Sequence, residues 1–104
     1  MEETMIVLTT TGSPGDAKAL GRSLVEEKLA ACVNLIPVES IYPWDGAIQE
    51  ESECILLIKT ASVRLHRLEE RLHELHPYSV PEFVAVPAEH VSDAYKSWLM
   101  NWVS

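Results

Sequence analysis

The stretch ACVNLIPVESIYPWDGAIQEESECILLIKT, residues 31–60, places strand-forming residues on both sides of Asp45-Gly46 and constrains the fold more than any other segment. Asp-Gly suits the two-residue type I′ turn, whose twist matches that of the strands it joins, so the spacing predicts one long antiparallel hairpin. With the turn at Asp45 and Gly46, Trp44 pairs with Ala47, and the numbers of facing residues sum to a constant. Cys32 then faces Lys59 and Cys54 faces Pro37. The cysteines lie about five residues apart along the hairpin, roughly 17 Å at ~3.4 Å per residue, outside disulfide reach. Pro37 has no amide to donate, so the first arm is expected at a sheet edge or with a bulge, whereas the proline-free CILLIKT fits a central position.

The remaining elements arrange themselves around this hairpin. MIVLTT, residues 5–10, is a short unbroken run of strand formers and reads as a central strand buried on both faces. Ser13 is placed to cap a helix with Pro14 at its first position and Asp16 in its first turn, where the dipole favours an acid. Ala17, Leu20, Gly21, Leu24, Val25 and Lys28 recur at helical spacing and carry that helix to about residue 29. Ser62 is expected to cap a second helix, in which Leu65, Leu68, Leu72 and Leu75 form a narrow apolar stripe that Pro77 ends. EFVAVPA, residues 82–88, bracketed by Pro81 and Pro87, reads as a short edge strand. Ser92 opens a last helix with Tyr95, Trp98, Leu99 and Trp102 along one face.

Strand, helix, strand, strand, helix, strand is the ferredoxin-like split βαβ order, here with an extra C-terminal helix, and residues 1–104 are read as a single α+β domain. That sheet puts its first and third strands inside and its second and fourth at the edges, where the prolines fall. Each hairpin arm runs about 14 residues, roughly 45 Å, against ~21 Å for the inner helices. Half the hairpin must therefore overhang the domain, carrying Ile41, Tyr42, Trp44 and Ile48. Two unsupported strands are marginal in water, so these residues are expected to meet another subunit in a closed ring.

Charge and cysteine usage narrow the function. With 16 acidic and 8 basic residues the net charge is −8, which repels nucleic acid. The apolar run near the start, Met5 to Leu8, is too short for a signal-peptide core or a membrane span, so a cytoplasmic protein with reduced, buried thiols is expected. GSPGD, residues 12–16, is a poor phosphate loop, since Pro14 removes an amide, Asp16 repels an anion and no GK[ST] follows.

Five ordered stretches, KLAACVNLIP (28–37), SIYPWDG (40–46), LLIKT (56–60), HPYSVPE (76–82) and YKSWL (95–99), together resemble the CutA divalent-cation tolerance family over nearly the whole chain. The resemblance implies a ferredoxin-like subunit in a tight homotrimer built through its long hairpins, similar to the PII signalling proteins, with a link to tolerance of copper and other divalent cations. Some relatives proposed to bind copper carry a cysteine at the position of Thr9 and a histidine at that of Leu75; of that set this chain keeps His76.

The chemistry available is sparse. A metal reading takes His76, Glu82 and Cys32 as candidate ligands for copper or another divalent cation, since copper prefers imidazole and thiolate. A ligand-cleft reading takes Lys59, Tyr78, Glu82 and His76 as polar contacts for a small molecule or protein partner, as in a PII-like module. Pro77 and Pro81 fix the polar groups of HPYSVPE in order at little entropic cost, which suits a turn serving as a cleft wall. Glu69 with His73, and His66 with Glu70, have chelating spacing, but on so charged a helix they read as a solvated face. The acids of QEESE, near Glu39 on the facing arm, lack the loop of a calcium site. No GxSxG, HExxH or Cys–His base pattern occurs, so no enzyme is predicted and no cofactor is required.

Overall fold

The computed structural model describes residues 2–104. In chain order these form β1 (Thr4–Thr11), α1 (Pro14–Glu26), β2 (Cys32–Trp44), β3 (Ala47–Ala61), a 3-10 turn (Ser62–Arg64), α2 (Leu65–Leu75), β4 (Val84–Pro87) and α3 (Asp93–Val103). The four strands make one antiparallel sheet in the order β2-β3-β1-β4. This is the ferredoxin-like arrangement, with the proline-bearing strands at the edges.

The hairpin register runs without a bulge from Cys32↔Lys59 to Trp44↔Ala47, passing through Pro37↔Cys54. Asp45 and Gly46 both take positive φ, 53° and 79°, as a type I′ turn requires. β1 stops at Thr11↔Cys54, so residues 38–44 and 47–53 pair with each other beyond the body of the domain. This overhang makes the subunit 45 Å long in one direction and 25 × 21 Å in the others.

Strand alternation sorts the sheet into two faces. Val7, Thr9 and Thr11 of β1 and Cys54, Leu56, Ile58 and Thr60 of β3 are buried beneath α1 and α2, where Leu20, Leu24, Leu68 and Leu72 complete the core. Residues of the opposite parity, among them Ile6, Leu8, Ile55 and Leu57, are only half-buried. α3 closes one end of the molecule, where Leu99 and Val103 pack on Ala31 and Ala61.

Several expectations are corrected. α1 ends at Glu26 rather than near residue 29, because Lys28 adopts the left-handed conformation (φ 60°). The Lys28 amide bonds Val25 O and the Leu29 amide bonds Leu24 O, the paired bonds of a Schellman motif with lysine in the usual glycine position. Ser62 does not cap α2, whose N-terminus has no side-chain cap. Its hydroxyl instead donates to Glu2 Oε1 at 2.8 Å, and the same carboxylate oxygen accepts the Val63 amide at 3.0 Å. β4 is shorter than the predicted 82–88. Of the α3 stripe, Leu99 is buried while Tyr95, Trp98 and Trp102 stay largely exposed, because the small side chains at Ala31 and Ala61 receive the aliphatic positions 99 and 103. Trp102 is still tied down, donating its Nε1–H to Val25 O at 2.9 Å with Lys28 Nζ 4.7 Å over its ring. Finally, Cys54 is buried as expected, but Cys32 is half-exposed, and both are free thiols.

Candidate functional site

The turn between α2 and β4 and the overhanging half of the hairpin face each other across a cleft of about 550 Å3. Its walls are Thr10 from β1; Ser40, Ile41, Tyr42 and Trp44 from β2; Glu51 and Glu53 from β3; and Tyr78, Ser79, Val80 and Glu82 from the turn. Register explains the hairpin side. Ser40 faces Glu51 and Val38 faces Glu53, so alternation puts Ser40, Tyr42, Glu51 and Glu53 on one surface of the overhang.

Two phenol–carboxylate pairs organise this surface. Tyr78 Oη donates to Glu53 Oε2 at 2.7 Å, and Tyr42 Oη donates to Glu51 Oε2 at 3.0 Å. Burial, and then the hydrogen bond to Glu53, push the Tyr78 phenol well above its ordinary pKa. For Tyr42 the bond to Glu51 is the main cause of an upward shift. Glu82 is also shifted upward, first by burial and then by the charge of Glu53, so the cleft disfavours a third carboxylate charge.

His76 caps the end of α2, its amide bonding Leu72 O at 2.8 Å, and its side chain is buried. Nε2 lies 2.7 Å from Thr10 O, and Nδ1 accepts the Tyr78 amide at 3.1 Å. A carbonyl can only accept and an amide can only donate, so the ring is neutral, with its proton on Nε2. Neither nitrogen retains a lone pair for an outside ligand.

The candidate residues are thus distributed unevenly. Tyr78 and Glu82 line the cleft, and His76 lies behind its wall. Ile41, Tyr42 and Trp44, read as interface residues, line it too, while Ile48 sits at the tip, 70% exposed. Lys59 is elsewhere, donating to Asn34 Oδ1 at 2.8 Å. Cys32 pairs with Lys59, four residues along β3 from the Ile55 that pairs with Thr10, about 13 Å at ~3.3 Å per residue. Within one chain, then, His76, Glu82 and Cys32 do not converge, and among the described residues no three His, Cys, Asp or Glu side chains are grouped to hold a metal ion. Thr9 points into the helix-covered core, its hydroxyl without a hydrogen-bond partner. The residues present do not fit a copper centre within the subunit.

Sequence reasoning left Glu51 and Glu53 in a solvated acidic face and passed over Thr10 and Ser40. The signal for the acids was present: the register set by Asp45-Gly46 already puts them beside Ser40 and Tyr42. Glu39 turns the other way, accepting from Ser52 at 2.8 Å. His66 and Glu70 form an exposed pair 3.9 Å apart, the solvated face anticipated.

The sequence from residue 5 to residue 101 fits the family model of the CutA1 divalent ion tolerance protein. The chain belongs to the CutA family. The divalent-cation tolerance protein CutA of Thermus thermophilus is 46% identical over 100 residues, covering 95% of each chain. The chloroplastic CutA of Arabidopsis thaliana is 44% identical over 98 residues, 93% of this chain and 54% of that one. Among solved structures, CutA of Synechococcus elongatus superposes with a TM-score of 0.96 at 36% identity, covering 98% of this chain and 91% of its own. The Thermus thermophilus structure gives 0.91 at 44% identity over the full length of both. Of these relatives, the Thermus thermophilus protein is named for divalent-cation tolerance. Among the described residues no helix is long and apolar enough to cross a membrane.

Proposed function

We propose that this CutA chain works in divalent-cation tolerance as a cytoplasmic homotrimer, whose cleft is completed by a neighbouring subunit and receives a small ligand or partner. The observation that carries the reading is the overhang. Ile41, Trp44 and Ile48 stand 69%, 55% and 70% exposed on an unsupported two-stranded arm, and two of them wall the cleft. A second subunit laid along that arm removes apolar surface from water and closes the open side. The names of the relatives, divalent-cation tolerance protein in Thermus thermophilus among them, supply the process.

Copper binding enters this proposal as a weak interaction. What the His76 ring supports is the weakness, since both of its nitrogens are already engaged and copper would have to displace one of their partners. The alternative within the same architecture, a PII-like module, is favoured by the preformed phenol–carboxylate pairs of the cleft. Thermal-shift titration with copper and with a panel of small metabolites of either charge separates the two, because a ligand bound only by the native state raises apparent stability. A large copper shift with no response to metabolites sinks the ligand-cleft reading. A monomeric mass by light scattering at micromolar concentration sinks the trimer.

A further inference from the structure

Gly12 follows β1, and its φ is not in the left-handed region, unlike that of Gly46. Its backbone therefore does not call for glycine. What its missing side chain provides is space: a Cβ built there would lie 3.1 Å from the Tyr78 hydroxyl oxygen and 3.9 Å from two of its ring carbons. The phenol passes over Gly12 on its way to Glu53, reaching Oε2 at 2.7 Å. From the other side His76 fixes the same residue at its backbone, through Nδ1 on the Tyr78 amide at 3.1 Å, with the two rings 4.9 Å apart. The His76 ring cannot turn without giving up its second bond, to Thr10 O.

We infer that Gly12 and neutral His76 are positioning residues for Tyr78, together setting its hydroxyl on Glu53 in the cleft wall. His76 then acts through Tyr78, and a metal ion arriving at Nδ1 must displace the Tyr78 amide. Loading of His76 and the closed form of this corner exclude one another. The inference relies on the ligand-cleft reading only for its consequence, since both can be tested on ligand-free protein.

Nitrogen NMR of the His76 ring in the parent protein is expected to show the neutral Nε2–H tautomer at neutral pH. The Nδ1–H tautomer or a charged ring overturns the proposal, whether or not any variant folds. Two substitutions split the ring's roles. His76→Asn keeps an acceptor near the Nδ1 position, and His76→Gln keeps a donor near Nε2. Tyr78 amide exchange is expected to quicken about tenfold in His76→Gln, the loss of one hydrogen bond, and to stay near the parent rate in His76→Asn. Equal rates in the two variants, or the reverse order, overturn the role of Nδ1. For Gly12, the hydrogen-bonded Tyr78 hydroxyl proton, assigned by its absence in Tyr78→Phe, is expected in the parent and lost in Gly12→Val. A Gly12→Val protein that keeps this resonance shows that Gly12 does not position the phenol. Loss of the resonance together with unchanged metabolite thermal shifts supports the positioning and counts against the cleft as a ligand site, so the two failures are distinguishable.

Discussion

The guanidinium of Arg71 grips both carboxylate oxygens of Glu27, Nε at 2.8 Å from Oε1 and a terminal nitrogen at 3.1 Å from Oε2, and so locks α2 to the end of α1. The hydrogen bond from Arg71 holds the Glu27 carboxyl below its usual range. A depressed folded-state pKa contributes stability that is present above the unfolded value and lost as pH falls through the folded one. Arg71→Met should therefore lower stability slightly at neutral pH, the loss kept small by the pair's exposure to water and its screening by salt. Urea unfolding of both proteins checks this, and the difference should disappear in strong acid.

Glu82 carries the opposite sign. Burial and the charge of Glu53 raise its pKa, so its ionised form opposes folding, and the penalty grows as pH rises through the raised value. Glu82→Gln is expected to melt roughly 2 °C higher at neutral pH, with no gain below the ordinary carboxyl range, where the parent is already protonated. Scanning calorimetry across that range decides it.

Trp44→Ala removes one of the largest apolar groups on the overhang, 55% exposed in the isolated subunit. Aromatic anchors tend to dominate such contacts, so the proposed trimer should dissociate at a concentration at least about tenfold higher than the parent's. Sedimentation of dilution series measures the shift. An unchanged mass and melting temperature would remove Trp44 from the interface.

Copper affinity at neutral pH is expected to be weaker than about micromolar, because imidazole must be won from its present partners without a thiolate nearby. His76→Ala should lower copper uptake further while leaving the trimer intact. Calorimetry returning nanomolar affinity in the parent that is lost in His76→Ala would make His76 a metal ligand after all.

Gly46→Ala isolates backbone strain. Gly46 sits at φ 79°, and a Cβ there would meet nothing within 4 Å, so the cost of about 1 kcal/mol comes from conformation alone. Chemical denaturation should show that loss with no change in assembly.

Much of this architecture was legible because it is locally written. Asp45-Gly46 determines every pair of the hairpin, Pro37 and Pro87 mark the edge strands, and Ser13-Pro14 opens α1 with its hydroxyl on the Asp16 amide at 3.1 Å. What was not legible depends on partners distant in sequence. The Ser62 hydroxyl is taken by Glu2, 60 positions away, so its local promise as a cap was not kept. Lys28 takes a left-handed turn that glycine or asparagine would have signalled. Which of two overlapping stripes α3 buries was decided by the small alanines it meets, not by its aromatic content. The far wall of the anticipated cleft escaped notice for the same reason: Gly12, Glu53 and the His76–Tyr78 turn come from three segments whose encounter only the finished sheet arranges.

The unbroken ladder from Cys32 to Ala47 also restricts how hairpins of this kind can change length. A single residue inserted in β2 between Val38 and Ser40 would turn the β2 side chains from there to the tip to the opposite side, taking Tyr42 from Glu51 and Trp44 from the cleft. One residue added to each arm would still invert the tip. Growth that preserves the facing of Trp44 must come in steps of about four residues, two per arm, each step moving the tip outward by roughly 7 Å. Among hairpins that keep this turn and cleft, then, length can vary only in quantised increments.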